Sequence, residues 1–366
     1  MVKLKTMLKK IIQFFKRYWI FIILAALASG LLLFRLNQRG QPTQPGPQPS
    51  PVPGISLTPL KIEGAVLPLK TKINLQDFSF PSRLKTYLGQ ESQSSSTQAK
   101  RIAQELGFSG SAQESEDVLL GVFLTWNSET HYLSISLETS KIDYGKNLGL
   151  TPVPKQGSLP SPETAKTNLE NLLSRLGLKP SFELKWQKEE YLTEGYNLPS
   201  VSGPEQADYL KISANPAVGQ YQLVGQDPTR PLISLILDKN KEIVRFQHQV
   251  YFSDFQGQET YDLKTKEEIE NLLLSEGRIV YFGTYQTSVG PPDLTQAEFD
   301  QINLAYYQSP DKNLLIQPIY LLSGQGILEN GETTEIITYQ PAIKFGTQAP
   351  QNLEVPREFF QLPELP

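Results

Sequence analysis

The segment from Tyr18 to Phe34 (YWIFIILAALASGLLLF) constrains this chain most, because none of its 17 residues is charged. As a helix it would extend about 25 Å, close to the thickness of the hydrocarbon core of a bilayer. Tyr18 and Trp19 stand at its start, where aromatic side chains often lie at the membrane surface. We therefore expect a transmembrane helix over residues 18–34, with Tyr18, Trp19 and Phe34 at the membrane interfaces.

The basic residues around this segment predict its orientation. Six Lys and Arg residues precede it, whereas only Arg35 and Arg39 follow closely. By the positive-inside rule, residues 1–17 form a cytoplasmic tail and everything after Phe34 is extracytoplasmic. Ala26-Leu27-Ala28 has the pattern of a signal-peptide cleavage site, but the apolar run continues beyond it. We favour an uncleaved signal-anchor in a single-pass protein of a bacterial cell envelope.

A proline-rich linker is expected over residues 35–60. The run from Gln41 to Gly54 (QPTQPGPQPSPVPG) has proline at almost every second position. Such a sequence stays extended and acts as a spacer between the membrane and the rest of the exported chain. The alternative, a proline-rich ligand for a partner domain, lacks a Lys or Arg within the run to orient the complex.

Composition excludes several classes of function. The chain has no cysteine, which rules out disulfides, thiolate metal sites and a cysteine nucleophile. Residues 1–39 hold eight of the 34 Lys and Arg side chains and no acid, which leaves 26 basic against 38 acidic side chains elsewhere. The exported part therefore has a net charge of −12, and we expect no nucleic acid partner.

Three helices are predicted, each with a polar cap at its start and a glycine at its end. The first begins after Ser95, the second after Ser161 with Pro162 at its first position, and the third after Thr265 with Glu268 completing a capping box. Gly107, Gly177 and Gly277 end them, and each has one apolar face at helical spacing. One-sided helices of this kind need a sheet to cover.

Strands are predicted after each helix. Residues Val122 to Glu138 and Leu232 to Phe252 form two hairpins, the second turning at Asp238 to Lys241, and Asn330-Gly331 is a strong two-residue turn signal. The predicted fold class is α+β, with an N-terminal transmembrane helix, a proline-rich linker and tandem modules that each pack a helix on an antiparallel sheet.

Parts of the chain resemble known extracytoplasmic families. The stretch STQAKRIAQELGF resembles the helix of PepSY-type repeats, and the chain from DYLKISANPAVGQYQLVG to YQPAIKF is similar to the exported domains of the YycH/YycI regulatory family. The resemblance implies a YycH/YycI-like double α+β domain over residues 158–345. We expect a first α+β module over residues 61–157, which departs from that family, and a C-terminal tail over residues 346–366. The resemblance also implies a role through contact with other membrane proteins.

The stretch from Ile302 to Gly326 (INLAYYQSPDKNLLIQPIYLLSGQG) predicts a pair of strands. Ile302 to Tyr307 and Leu314 to Leu322 would pair across the polar turn between them. Pro318 cannot donate a ladder hydrogen bond and so suggests an edge or bulged strand. Because a sheet edge can pair with another chain, Pro318, Ile319 and Tyr320 are the candidate partner-binding edge.

Catalytic signals are sparse. The only histidines are His131 and His248, one in each predicted hairpin, and acidic runs occur at Glu114 to Asp117 and at Glu189-Glu190. Adjacent acids in a strand point to opposite faces, and a histidine-based site would need remote carboxylates. We expect no catalytic residues, cofactor or metal.

These observations predict a membrane-anchored, extracytoplasmic module, not an enzyme, that binds an unidentified protein or peptide and regulates an envelope or signalling process. Its other partner would be membrane lipid, contacted through the single helix. The alternatives are a cell-envelope hydrolase that uses paired carboxylates, and a structural or polymer-binding surface protein.

The topology can be tested with intact cells. If Tyr18 to Phe34 is an uncleaved anchor, added protease should cut within Gln41 to Gly54, where the extended chain is accessible, and release a soluble fragment. Immunoblotting of the medium measures the release. A mature protein whose N-terminal sequence starts at Ser29 would contradict the anchor.

Overall fold

The computed structural model describes part of the chain, all of it within one unit, Pro59–Pro366. The described residues are 60, 62–74, 79–91, 94–117, 121–149, 156–179, 181–195, 198–283, 292–309 and 315–344. They form nineteen strands and three α-helices. The helices are α1 (Ser96–Glu105), α2 (Pro162–Leu176) and α3 (Lys266–Glu276). The strands are β1 (Ala65–Val66), β2 (Thr71–Ile73), β3 (Arg83–Glu91), β4 (Gln113–Asp117), β5 (Gly121–Asn127), β6 (His131–Ser136), β7 (Ile142–Lys146), β8 (Leu184–Trp186), β9 (Glu190–Leu192), β10 (Ser200–Val201), β11 (Tyr209–Val218), β12 (Tyr221–Val224), β13 (Ile233–Asp238), β14 (Ile243–His248), β15 (Phe252–Asp262), β16 (Arg278–Phe282), β17 (Leu294–Tyr307), β18 (Leu315–Leu328) and β19 (Thr333–Pro341).

The first two helices begin at the predicted caps. The Ser95 hydroxyl accepts a hydrogen bond from the Gln98 N–H at 3.1 Å, and the Ser161 hydroxyl accepts one from the Thr164 N–H at 3.2 Å. Helix α2 ends at Gly177, whose φ of 71° is a left-handed conformation that suits glycine. Both predicted helices are confirmed.

Helix α3 confirms the predicted capping box. The Glu268 N–H donates to the Thr265 hydroxyl at 3.3 Å, while the Glu268 carboxylate accepts from the Thr265 N–H at 2.9 Å. These two bonds satisfy N–H groups that a helix start otherwise leaves without partners. Ile269 and Leu273 form its buried side.

The predicted hairpins are also confirmed. Strands β5 and β6 pair antiparallel, as do β13 with β14 and β17 with β18. Between β18 and β19 the chain turns at Asn330-Gly331, and Gly331 has a φ of 84°. A side chain at that position would strain the turn.

One antiparallel section of sheet runs under helices α1 and α2. Its strand order is β4–β5–β6–β7–β14–β13–β11, and β8 and β9 both pair with the far side of β11. The core between this sheet and the helices is apolar. It includes Ala99, Ile102, Ala165, Leu169, Leu173, Leu133, Ile135, Leu210, Ile212 and Phe246, all at most 1% exposed.

The second section is built on the long strands β17 and β18. The order β1–β16–β19–β18–β17 is antiparallel, whereas β2 and β12 pair with β17 in parallel. Strand β3 pairs with both β15 and β18, and β12 pairs with β11 of the first section. The strands therefore belong to one hydrogen-bonded network.

The predicted fold class is wrong in its architecture. Tandem PepSY-like modules would each close their own sheet, whereas the described strands join into one large mixed sheet of nineteen strands with only three helices on it. Strand pairs β7–β14 and β3–β15 also cross the expected boundary between residues 61–157 and 158–345. The physical reason is that these strands find ladder partners far away in the sequence, which helix and turn signals do not encode.

The predicted transmembrane helix and the proline-rich run fall on residues that the structure does not describe. The described residues do not include residues 1–59 or the tail 346–366. The first of these ranges contains the predicted span Tyr18 to Phe34 with its interfacial residues Tyr18, Trp19 and Phe34, and also the proline-rich run. Within the described residues, no helix combines the length and apolar character needed to cross a membrane.

The predicted partner-binding edge lies instead in the interior of the sheet. Strand β18 pairs with β17 on one side and β19 on the other, and Ile319 and Tyr320 are at most 1% exposed. The Pro318 carbonyl accepts from the Ala342 N–H at 3.1 Å, so the backbone of Pro318 faces β19. Because β19 ends at Pro341, the donor that Pro318 lacks would fall at the end of that ladder, and an interior strand tolerates the proline.

The tyrosines of this stretch are core residues. The Tyr306 hydroxyl donates to the Lys85 carbonyl at 2.8 Å, and the Tyr320 hydroxyl donates to the Lys264 carbonyl at 2.9 Å. Both side chains are at most 2% exposed. Their hydroxyls therefore satisfy backbone groups of neighbouring segments and do not face a partner.

The interior position of Ile319 predicts a large loss of stability on truncation. Ile319→Ala should lower the free energy of unfolding by about 2 to 5 kcal/mol, because it leaves a cavity in the buried apolar cluster that Ile319 shares with Tyr307 and Tyr339. Denaturant unfolding followed by circular dichroism measures the change. Leu69→Ala is the control, since Leu69 is 92% exposed. Equal stability of the two variants would contradict the interior position.

Candidate functional site

A cleft of about 700 Å³ lies between helices α1 and α2, above the antiparallel sheet. We call it the helix–sheet cleft. Its floor comes from β6, β7, β13 and β14 and the turn between the last two. The residues that line it are Glu105, Leu106, Gly107, His131, Tyr144, Lys146, Asn168, Asn171, Leu172, Arg175, Leu235, Leu237, Lys241, Glu242 and Ile243.

Polar contacts hold the two helices together at one end of the cleft. The Arg101 guanidinium donates to the carbonyls of Arg175 at 3.0 Å and Leu176 at 2.6 Å, near the C-terminus of α2. The Arg175 side chain lies 3.4 Å from the carboxylate of Glu105 in α1. Cations suit a helix C-terminus because its carbonyls carry partial negative charge.

Strand register brings three polar side chains, those of His131, Tyr144 and Lys146, onto the floor. His131 lies opposite Lys146 in the β6–β7 pair, and Tyr144 is two residues from Lys146 on the same face. The rings of His131 and Tyr144 are stacked, with centroids 5.9 Å apart and planes 25° apart. The face that carries them is the one covered by the helices, since Tyr144 belongs to the helix-side core.

Lys146 forms ion pairs with two carboxylates on the floor of the cleft. Its ammonium group lies 2.7 Å from the Glu242 carboxylate and 3.4 Å from the Asp238 carboxylate. Asp238 is buried, and it also accepts hydrogen bonds from the N–H groups of Asn240 and Glu242, both at 2.9 Å. The hydrogen bond from Lys146 lowers the pKa of Glu242 below its usual value.

The two rings on the floor keep their neutral forms. Burial lowers the pKa of His131, and the nearby Lys146 charge lowers it further, so the imidazole is neutral at pH 7. Its Nδ1 lies 2.7 Å from the Thr130 hydroxyl. Burial raises the pKa of Tyr144 to about 12, so the phenol stays protonated.

The deeper part of the cleft is apolar. Leu172 of α2 is 4% exposed, and Leu235 and Leu237 of β13 are each 1% exposed. Ile243 of β14 lies beside them among the partly buried residues. The cleft therefore has a small apolar base beneath a mainly polar lining, whose rim carries charges of both signs.

Most of the residues that the sequence suggested for a catalytic or binding site lie outside the cleft. His131 lines the cleft, but His248 is buried at the end of β14 opposite Ile142. The acidic run forms the exposed strand β4, and Glu190 pairs with Lys211 at 2.7 Å. Pro318, Ile319 and Tyr320 belong to the second section of the sheet.

Sequence reasoning missed Lys146, Asp238 and Glu242. The segment from Asp238 to Glu242 (DKNKE) was predicted only as a turn, although charged residues crowd it. Lys146 ends β7, a strand that was not predicted from the sequence. Its ion pairs span 92 and 96 residues, so they depend on strand pairing that the sequence pattern does not reveal.

Metal-binding potential is limited in the part of the chain that the structure describes. There, no group of three or more His, Cys, Asp or Glu side chains is placed to hold a metal ion.

Comparison with known proteins identifies no family. No protein-family model matches the chain. No curated protein matches it either. A solved structure of an uncharacterized protein from Eubacterium rectale ATCC 33656 aligns with a TM-score of 0.39 and 13% identity, over 77% of this chain and 93% of that one. Nothing about the function of this chain follows from that likeness.

The buried His248 predicts a pH dependence of stability. Burial lowers its pKa from 6.5 to about 4, so the unfolded chain binds a proton more readily than the folded one. The resulting stability is fully present above pH 6.5 and is lost as the pH falls to about 4, in total about 3 kcal/mol. Urea unfolding of His248→Asn should show a smaller loss between these pH values than the unmodified protein. Identical pH dependence would contradict this assignment.

Proposed function

We propose that this chain is a protein- or peptide-binding module and that the helix–sheet cleft receives a segment of its partner. The observation that carries the proposal is a mainly polar lining with paired charges at the rim, above a small apolar base formed by Leu172, Leu235 and Leu237. A peptide segment offers both kinds of surface. Its apolar side chains would gain from burial, while polar groups at the rim would orient it.

The size of the cleft supports a ligand larger than a metal ion or water. Its volume of about 700 Å³ lies within the range of roughly 300 to 1,000 Å³ typical of ligand-binding sites. Asn168 and Asn171 of α2 add amide groups that can both donate and accept hydrogen bonds. Such groups can pair with the main chain of a bound segment.

The proposal includes an extracytoplasmic location and a regulatory role. The location is supported by the six basic residues before Tyr18 and the charge-free run to Phe34. The regulatory role, in an envelope or signalling process, rests on the resemblance to the YycH/YycI family. In this arrangement the proline-rich run from Gln41 to Gly54 would hold the binding module away from the bilayer.

A cell-envelope hydrolase is the second candidate, because two carboxylates, Glu105 and Glu242, line the same cleft. Both are already paired with cations, Glu105 with Arg175 and Glu242 with Lys146. Paired carboxylates are useful for hydrolysis when one of them has a raised pKa. The pKa of Glu242 is lowered instead, which favours binding over acid catalysis. A glycan or peptide hydrolysis lost in Glu105→Gln would favour the hydrolase.

The binding proposal can be tested by filling the cleft from α2. Asn171 is exposed and lines the cleft, whereas Ser174 is exposed on the same helix and is not among the lining residues. Asn171→Trp should weaken the binding of a ligand in the cleft by about tenfold or more, because the indole occupies the space that the ligand needs. Ser174→Trp should leave it nearly unchanged.

The ligand for this measurement is selected first, from a displayed library of random peptides, with the full-length protein in detergent. The affinity of the selected peptide for each variant is then measured by fluorescence anisotropy. Equal affinity for both tryptophan variants would show that the peptide binds outside the cleft. That result would reject the proposed site.

A further inference from the structure

We infer that the helix–sheet cleft recognises a carboxylate of its ligand, and that this carboxylate replaces Glu242 on the ammonium group of Lys146. The inference rests on the proposed function, because it names the chemical group that the same cleft would bind. The two carboxylates that Lys146 contacts differ in how deeply they are buried and in the other hydrogen bonds that they accept.

Asp238 is the permanent partner of Lys146. Its side chain is only 2% exposed, and one of its oxygens already accepts from two backbone N–H groups, those of Asn240 and Glu242. These bonds close the turn between β13 and β14. Moving Asp238 would break that turn and leave a buried carboxylate without its donors, which is costly.

Glu242 is the replaceable partner. Its side chain is 63% exposed, whereas that of Lys146 is 8% exposed. An exposed carboxylate loses little when it leaves an ion pair, because water solvates the released group. Lys146 differs in this respect, since a buried ammonium group needs a counter-charge. A ligand carboxylate that takes the place of Glu242 would keep Lys146 paired at small cost.

The charges around the cleft favour an anionic group at this point. Besides Lys146, the cations that line the cleft are Arg175 and Lys241, and the remaining acid, Glu105, is paired with Arg175. When the Glu242 side chain turns away from Lys146, the cations that line the cleft outnumber the acids among the described residues. His131 is neutral and places no second positive charge beside Lys146.

A carboxylate can come from an acidic side chain or from the C-terminus of a peptide. Three synthetic probes distinguish these sources. They are acetyl-Leu-Leu-Glu-Leu-amide, acetyl-Leu-Leu-Leu with a free C-terminal carboxylate, and acetyl-Leu-Leu-Gln-Leu-amide as the probe without a carboxylate. We expect at least one carboxylate probe to bind more tightly than the glutamine probe, and the stronger of the two identifies the source.

The exchange itself is measured on Glu242 in the full-length protein. Its side-chain ¹³C carboxylate signal, assigned by its absence in Glu242→Gln, reports its titration with and without the probe. We expect the titration midpoint to rise toward the ordinary glutamate value when the probe is bound, because Lys146 then no longer donates to Glu242. This measurement needs no substitution that disturbs the fold.

A variant provides an independent measurement. Glu242→Gln removes the competing carboxylate and should raise the affinity for the carboxylate probe about threefold or more. Glu163→Gln is the matched control, because Glu163 is an exposed glutamate paired with Lys166 at 3.5 Å on the outer side of α2. It should leave the affinity unchanged.

The outcomes separate this inference from the proposed function. Binding that Asn171→Trp blocks, but that neither shifts the Glu242 titration nor responds to Glu242→Gln, would overturn the carboxylate inference alone. Binding that Asn171→Trp does not affect would reject the cleft as the site. Failure of both carboxylate probes to bind better than the glutamine probe would also overturn the inference.

Discussion

The pairing of β7 with β14 is the contact on which the cleft depends. It joins the hairpin of β5 and β6 and its neighbour β7 to the strands that come after α2, and it makes the sheet continuous under both helices. The pairing sets Tyr144 opposite Phe246 and Gly145 opposite Arg245. Because side chains alternate between faces, a slip of one residue would move Tyr144 and Lys146 to the other face of the sheet and remove the floor of the cleft.

The two helices then define the space above that floor. Each covers its own part of the sheet with an apolar face, and at one end they meet through the Arg101 bonds to carbonyls of α2 and through the Glu105–Arg175 pair. Polar contacts at an exposed helix end stabilise less than a packed apolar seam would. The arrangement thus depends mainly on the packing of each helix against the sheet, and the contact between the helices chiefly fixes the width of one end of the cleft.

Local structure in this chain was predictable from sequence, whereas the strand partners were not. Ser95, Ser161 and Thr265 cap their helices as expected, because a cap is decided by groups within four residues. The Asn330-Gly331 turn follows the same logic. The β7–β14 and β3–β15 pairs join residues a hundred or more positions apart, and no local pattern identifies such partners. The prediction at Pro318 failed for a related reason, since whether its missing donor matters depends on where β19 ends.

The same limit applies to the candidate site. His131 could be singled out by residue type, but its neighbours Lys146, Asp238 and Glu242 come together only through the pairing of β6, β7 and β14 with β13. Once assembled, the site favours the ionised form of Glu242, because the hydrogen bond from Lys146 lowers the pKa of its carboxyl group. A general acid needs a carboxyl group that stays protonated near the working pH. An exposed glutamate that can leave a buried ammonium group is better suited to the recognition of a charged ligand, which favours the binding proposal over the hydrolase.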